Sequence, residues 1–287
     1  MSTLRIALQT KGRLNTDSIT LLEEAGINVE DPGRKFLTRS SSFPVELLYL
    51  RDDDIPQAVS MGAADLGIVG YNEVLEKEAP VEVVRKLGWG ACRLSLAVPA
   101  SADYDGLQWF QGKRIATSYP KILRKFLSEN GISASVHEIA GSVEVAPSVG
   151  LGDAIFDIVS SGGTLVRNSL VEVYRVVESE AVLIANPSVH DDPEKESDLK
   201  RLLFRFDSIM KSHGKKYLLM NIPNDSLEEA IRIVPAMRSP TVLPLAQSGW
   251  SSLHSVVEED VLWDKVHALK EIGAEGILVL DVEKLVL

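Results

Sequence analysis

From Leu4 to Ala185 the chain alternates short apolar runs with helical stretches, a pattern that layered α/β folds satisfy and few others do. Leu4–Gln9 reads as a strand, with Ile6 and Leu8 on one face. Residues 16–25 read as a helix: Ile19, Leu22 and Ala25 recur at helical spacing, and Gly26 ends it. Val45–Leu50 is a strand, and Asp54 is placed to cap a short helix that carries Pro56 in its first turn. Further strands are predicted at 66–69, 93–98, Arg114–Thr117, 135–139 and Ala154–Val159, with helices at 121–130 and 143–151. This runs too long for one compact sheet. Pro99-Ala100-Ser101-Ala102-Asp103 marks a seam, and strands at 171–177 and Ala181–Ala185 can carry the chain back across it. The reading is two α/β lobes with crossed connections and a cleft between them. Lobe I takes residues 1–98 with 181–213 returning to it, and lobe II takes 99–180.

The order then changes. After the acidic stretch 187–196 and a charged helix at 197–213 come a strand (216–222), a helix (227–234), two strands (241–245 and 250–257), a helix (260–272) and a strand (276–280). This βαββαβ order is ferredoxin-like and assigns 214–287 to a third domain. So small a module, appended to a complete catalytic-looking unit, is more often regulatory or oligomerising than catalytic.

Composition narrows the function. The 287 residues carry 30 Lys plus Arg against 41 Asp plus Glu, a net charge of −11. Such a chain is a poor nonspecific binder of nucleic acid, although a local basic cleft can still hold an anion. One cysteine, Cys92, makes no internal disulfide framework. No apolar run approaches the ~18–20 residues of a membrane span. The N-terminus enters a strand pattern without a signal peptide's apolar stretch, so a cytoplasmic protein is expected.

Four segments carry candidate chemistry. In the first, an apolar strand ends in Ser160-Ser161-Gly162-Gly163-Thr164, with a short helical pattern beyond. Small residues there let backbone N–H groups approach an anion, and the hydroxyls can donate too. Asp157, inside the strand, is placed to accept from sugar hydroxyls. The same run also reads as a tight strand–helix turn. It is not a Walker loop, because no Lys follows the glycines. The second segment, Lys11-Gly12-Arg13, follows the first strand, at the sheet end where ligands of open α/β folds gather. Arg supplies a fork and Lys a point charge for polyphosphate, or the loop is simply solvated. The third, Arg51-Asp52-Asp53-Asp54, offers oxygen ligands to Mg²⁺ or caps the next helix, and Arg34-Lys35 in the preceding loop adds positive charge. In the fourth, Ser142 reads as a helix cap and Glu144 as a first-turn carboxylate that complements the dipole.

These segments, with Asp65-Leu66-Gly67-Ile68-Val69-Gly70, Arg114 through Pro120 and Ser239 through Leu245, together resemble the long form of ATP phosphoribosyltransferase over essentially the whole chain. The resemblance implies the first reaction of histidine biosynthesis. ATP and phosphoribosyl pyrophosphate give phosphoribosyl-ATP and pyrophosphate, with adenine N1 attacking the anomeric carbon and Mg²⁺ assisting departure. It implies two lobes like those of periplasmic binding proteins, and a C-terminal domain that binds L-histidine as feedback inhibitor. It also implies dimers that assemble into hexamers. By the same resemblance Lys11 and Arg51 are catalytic, and Asp157, Ser160, Ser161, Gly162, Gly163 and Thr164 cradle phosphoribosyl pyrophosphate. Arg13 and Arg34 contact ATP, and Asp53 and Glu144 are indirect partners of Mg²⁺. Asn221, Met237, Thr241, Val256 and Gly276 form the histidine site. Some members have an acidic residue where this chain has Asn221, so amine recognition here uses another group.

Two other classes compete. A two-lobed solute-binding protein is disfavoured by the added tail and by the absent leader pattern. An amino-acid-sensing regulator is disfavoured because no basic DNA-reading element is present.

Overall fold

The computed structural model describes residues 3–30, 33 and 36–287. In chain order the elements begin β1 (Leu4–Gln9), α1 (Arg13–Glu24), β2 (Leu37–Arg39), β3 (Val45–Leu50), α2 (Ile55–Ser60), β4 (Leu66–Gly70), α3 (Tyr71–Lys77) and β5 (Glu82–Lys86). They continue with β6 (Cys92–Pro99), β7 (Arg114–Thr117), α4 (Pro120–Glu129), β8 (Ser135–Glu138), β9 (Ala154–Val159), α5 (Gly163–Arg167), β10 (Leu170–Ser179), β11 (Ala181–Ala185) and α6 (Pro193–Ser212). The tail adds β12 (Lys215–Pro223), α7 (Leu227–Ile233), β13 (Thr241–Pro244), β14 (Trp250–Glu258), α8 (Leu262–Glu271) and β15 (Glu275–Asp281). The chain divides into two compact units, Met1–Leu203 and Phe204–Leu287.

The first unit holds two sheets. One has the order β2-β3-β1-β4-β11-β5, with β1 parallel to both β3 and β4 and with β11 antiparallel to β4. The other has the order β10-β6-β9-β7-β8, with β7 parallel to β8 and β9 and with β6 antiparallel to β9. The chain crosses from the first sheet to the second between Lys86 and Cys92, and returns at Glu180. The seam expected after Val98 therefore falls earlier. Strand β6 belongs to the second sheet because Leu94, Leu96 and Val98 bury themselves in its core with Phe110, Leu123 and Phe156. Helix α4 shows why such segments fold as they do. Pro120 sits in its first turn, and Ile122, Leu123, Phe126 and Leu127 make one buried face.

Three expectations change. Residues 143–151 do not form a helix; only a 3₁₀ turn over Val143–Val145 appears. Pro147 and Gly150 interrupt the run, and Ser142 takes a left-handed φ of 51° without capping anything. Asp54 likewise makes no side-chain cap, since Asp52–Asp54 form a 3₁₀ turn leading into α2. Strands β2 and β5 and helix α3 escape the periodicity reading, being short and only partly apolar.

The second unit starts at Phe204, inside α6, earlier than the expected 214. Within it, the Leu285 N–H donates to the Ser208 carbonyl at 2.8 Å and the Ser212 hydroxyl donates to the Glu283 carbonyl at 2.9 Å, which ties the end of α6 to this unit. Its sheet order is β13-β14-β12-β15, all antiparallel. That is the ferredoxin-like arrangement, and Leu218, Met220, Ile222, Leu253 and Leu269 contribute to its core.

Helix α2 packs on β4 at Gly67, where a Cβ would lie 2.6 Å from Ile55 Cγ2 and 3.0 Å from Val59 Cγ2. Gly67→Ala is expected to destabilise the fold by about 1–3 kcal/mol through overpacking, read as a lowered Tm. An unchanged Tm would mean that α2 is free to shift outward.

Candidate functional site

The carboxyl ends of the parallel strands deliver the polar residues of the cleft. Gln9 ends β1, Arg51 and Asp52 follow β3, and Asn72 and Glu73 open α3 directly after β4. From the second sheet, Tyr119 follows β7 and Ser160 follows β9. Gln9, Arg13, Asp52, Asn72, Glu73, Tyr119 and Ser160 line one cavity of about 240 Å³. A second cavity of about 530 Å³ shares Ala91, Cys92 and Ser160 with the first and opens past Lys86, Arg93, Arg175 and Glu178.

The Ser160–Thr164 loop leads from β9 into α5. Gly162 takes a φ of 80°, which a side chain would strain, and its carbonyl accepts from the Val166 N–H at 3.2 Å. At Gly163, by contrast, a Cβ would meet nothing closer than Ser161 Oγ at 3.7 Å. The conformational need for glycine thus falls on Gly162. Arg93 Nη1 donates to the Ser160 carbonyl at 2.8 Å, while its Nε and Nη2 grip Glu172 at 2.6 and 2.5 Å. This pair, helped by the Ser95 hydroxyl, pulls the Glu172 carboxyl down to about 2 and steadies the start of the loop.

Across the cleft floor runs a buried hydrogen-bond ring. Asn72 Nδ2 donates to Glu73 Oε1 at 2.9 Å and to the Tyr119 hydroxyl at 3.2 Å. The Ser179 hydroxyl accepts from the Asn72 N–H at 3.0 Å and donates to Asn72 Oδ1 at 2.8 Å. Burial, and then the Asp52 charge, push the Glu73 carboxyl up to about 7, against the Tyr119 hydrogen bond. Burial followed by the Glu73 charge lifts the Tyr119 phenol well above its usual range. Asp157 is half-buried on β9; burial raises its carboxyl to about 6, opposed by the Ile158 N–H and assisted by the Glu144 charge. Burial raises the Cys92 thiol, which makes it a poor nucleophile.

The residues named from sequence fall out as follows. Arg13 lines the first cavity and pairs with Asp17 at 3.6 Å. Lys11 is exposed on the loop before α1. Arg51 is exposed, with its Nε 3.2 Å from Asp53 Oδ1, and Lys77 holds the other Asp53 oxygen at 3.7 Å. Arg34 lies outside the described residues. Ser160 borders both cavities, and Ser161, Gly162, Gly163 and Thr164 follow it around the loop. Glu144 sits in the 3₁₀ turn, half-buried. In the tail, a Cβ on Gly276 would come within 3.4 Å of Asn221 Nδ2, so these two are neighbours. Thr241 stands opposite His254 and Val256 opposite Tyr217, so the set spreads across the sheet, and Met237 is exposed in the loop before β13. Sequence reasoning misses Asn72, Glu73 and Tyr119. The one sequence signal for the first two is the Glu73/Lys77 pair at helical spacing straight after a strand.

Two sheets exchanging strands through paired crossovers, with a polar cleft at the strand ends, define a two-lobed α/β protein with the fold of periplasmic binding proteins. The periplasmic sulfonate-binding protein SsuA from Methylobacillus flagellatus shares this fold, with a TM-score of 0.52 at 16% identity over 81% of this chain and 72% of that chain. A family model described as ATP phosphoribosyltransferase (HisG) matches residues 51–208, and one described as the HisG C-terminal domain matches 212–284. An ATP phosphoribosyltransferase of Bacteroides thetaiotaomicron is 55% identical over 283 residues, 99% of each chain. A chain of the ATP phosphoribosyl transferase (HisG:HisZ) complex from Thermotoga maritima superposes with a TM-score of 0.62 at 27% identity, covering 71% of this chain and 99% of that one. The chain belongs to the ATP phosphoribosyltransferase family, and its reaction is the transfer of a phosphoribosyl group to ATP, the first step of histidine biosynthesis.

Asp157 gives a stability prediction. An aspartate whose carboxyl rises from its ordinary 3.8 to about 6 on folding holds its proton more tightly in the folded state. Stability is therefore lost as pH rises from about 4 to about 6, and the full cost persists above that. Asp157→Asn removes the cost, and denaturant melts are expected to show a gain of about 2–3 kcal/mol near pH 8 and well under ~1 kcal/mol near pH 4. An equal gain at both pH values would acquit the Asp157 carboxylate.

Proposed function

We propose that phosphoribosyl transfer takes place in the cleft around Ser160, with phosphoribosyl pyrophosphate on the Asp157–Thr164 segment and ATP beside Arg13, Asn72, Glu73 and Tyr119. One observation carries this reading: the phosphate-type loop and the purine-sized, Arg13-lined cavity share Ser160 as a wall. Asp157 accepts from the ribose hydroxyls, and the Ser160, Ser161 and Thr164 hydroxyls with the Gly162 and Gly163 N–H groups hold the 5-phosphate. Lys11 and Arg51, on the loops after β1 and β3, face the departing pyrophosphate. Arg13, with Arg34, contacts ATP.

Adenine N1 attacks the anomeric carbon, and pyrophosphate leaves from the opposite face. No protein nucleophile is needed. What the chain supplies is alignment of two polyanions and stabilisation of the charge that develops on the leaving group. The described residues do not build a resident metal site. Among the described residues no group of three His, Cys, Asp or Glu side chains can hold a metal ion, and Asp53 is already shared by Arg51 and Lys77. Mg²⁺ would come as a complex with the substrate and would help neutralise the charge of the leaving group, with Asp53 and Glu144 as indirect partners.

The tail is assigned to feedback control, with Asn221, Met237, Thr241, Val256 and Gly276 as the L-histidine residues. Inhibition is then a coupling free energy between separate sites, of the order of 1–3 kcal/mol. Leu278, Val279 and Leu280, exposed on the edge strand β15, support self-association, in keeping with dimers and hexamers. No helix among the described residues is long and apolar enough to cross a membrane. The biosynthetic role of the family supports assigning the chain to the cytoplasm.

Pyrophosphate release from ATP plus phosphoribosyl pyrophosphate, with and without L-histidine, tests the reading as a whole. Release that histidine suppresses is expected; release insensitive to histidine would leave the tail without its assigned role. A binding protein without catalysis would release none. For the loop, Thr164→Val is expected to raise the Kd for phosphoribosyl pyrophosphate by an amount equivalent to about 1.5–3 kcal/mol, the loss of one charged hydrogen bond. Calorimetric titration of the folded variant at wild-type affinity would take Thr164 out of the site.

A further inference from the structure

We propose that Glu73 accepts a hydrogen bond from the 6-amino group of the bound adenine and takes a proton from that group once N1 is bonded to the sugar. The proposal rests on the placement of ATP given above. Attack by the N1 lone pair forms the N1–C1 bond. The C1–O bond breaks and its electron pair departs with pyrophosphate, so the adenine ring is left with one positive charge. Loss of a 6-amino proton restores a neutral base, and that proton needs an acceptor on the cleft wall. Once it has moved, N1–C1 bond formation is harder to reverse; Glu73 returns the proton to water when product leaves.

The geometry singles out Glu73 among the carboxylates of this cavity. Glu73 is only 7% exposed yet lines the cavity, whereas Asp17 pairs with Arg13 and Asp52 is only half-buried on the turn after β3. Asn72 Nδ2 and the Tyr119 hydroxyl both donate to it, so its acceptor oxygens are aimed by a ring that is itself anchored through Ser179. Asn72 Oδ1 already accepts from the Ser179 hydroxyl inside that ring, so the Glu73 carboxylate is the acceptor the ring leaves open to an amino group in the cavity. The charged and titratable groups facing it are Asp52 and Asp53 on the turn after β3, Lys77 on its own helix, Tyr119 before α4 and Cys92 on β6. Arg13 and Asp17 of α1 line the same cavity. The acids outnumber the cations. Together with burial they hold the proton affinity of Glu73 near neutrality, where a carboxylate both accepts and releases a proton readily.

Single-turnover product formation in the full-length enzyme tests the role. With the wild type the rate is expected to rise through about pH 7 as Glu73 ionises. Glu73→Gln keeps the shape and the hydrogen bond from Asn72 but accepts no proton. It is expected to be at least ~10-fold slower near pH 8, to lack the rise with pH, and to change the KM for ATP far less than the rate. Glu73→Asp should restore part of the pH-dependent rate. Inosine triphosphate, with a 6-oxo group, should inhibit the wild type poorly and Glu73→Gln better, because a glutamine amide can donate to that oxygen. A folded Glu73→Gln with the wild-type rate and pH profile overturns the proposal. Arg13→Ala separates the underlying placement. An unchanged KM for ATP removes the nucleotide from this cavity, and the proposal falls with it. A raised KM keeps the nucleotide there, and the rate and pH profile of Glu73→Gln then decide.

Discussion

The Asn72 amide sits where the two lobes meet, and the cleft depends on how it is satisfied. A primary amide buried to 4% exposure is costly unless its donors and acceptor are matched. Here the match comes from three directions: Ser179 at the end of β10, Tyr119 before α4 and Glu73 in the same turn of α3. Two of these partners belong to segments of the second lobe. Once the ring is closed, the first turn of α3, the start of α4 and the return crossover at Glu180 are held in one register. The carboxyl ends of β4, β7 and β9 then face a common space.

An acidic chain that handles two polyanions has an electrostatic difficulty, and the cleft meets it by two routes. Cations gather around the larger cavity, where Lys86, Arg93 and Arg175 stand against Glu178 and Glu180, while the smaller cavity has Arg13. The acids on the cleft walls are moderated. Asp157 and Glu73 are pushed upward by burial, to about 6 and about 7, while Glu172 is ionised but fully engaged by Arg93. Field focusing in a cleft then favours anionic ligands although the molecule as a whole repels them. The second unit keeps its own core around Leu218, Met220 and Leu253, so a ligand-sensing role need not intrude on this balance.

Much is legible from local pattern. The strands β1, β3, β7, β9 and β11 and the βαββαβ order of the tail are written in apolar periodicity, because a buried strand must be apolar wherever it lies. The Ser160–Thr164 loop and Arg13 stand out in the sequence too, as small residues and a cation placed just after strands. The helix expected at 143–151 does not form because Pro147 and Gly150 outweigh an apolar pattern that looks helical when read alone.

What the sequence by itself determined is therefore the inventory: α/β layers, a ferredoxin-like tail, a Ser- and Gly-rich turn after β9 and a family. Tertiary structure decided membership and protonation. Strand β6 looks the same in either sheet, and only the fit of Leu94, Leu96 and Val98 against Phe110 and Phe156 places it in the second. Asn72, Glu73 and Tyr119 are ordinary residues where they stand in the chain, and Tyr119 lies 47 positions beyond Asn72. Their hydrogen bonds and the raised carboxyl of Glu73 arise from burial beside Asp52, and burial belongs to the packed chain rather than to any residue in it.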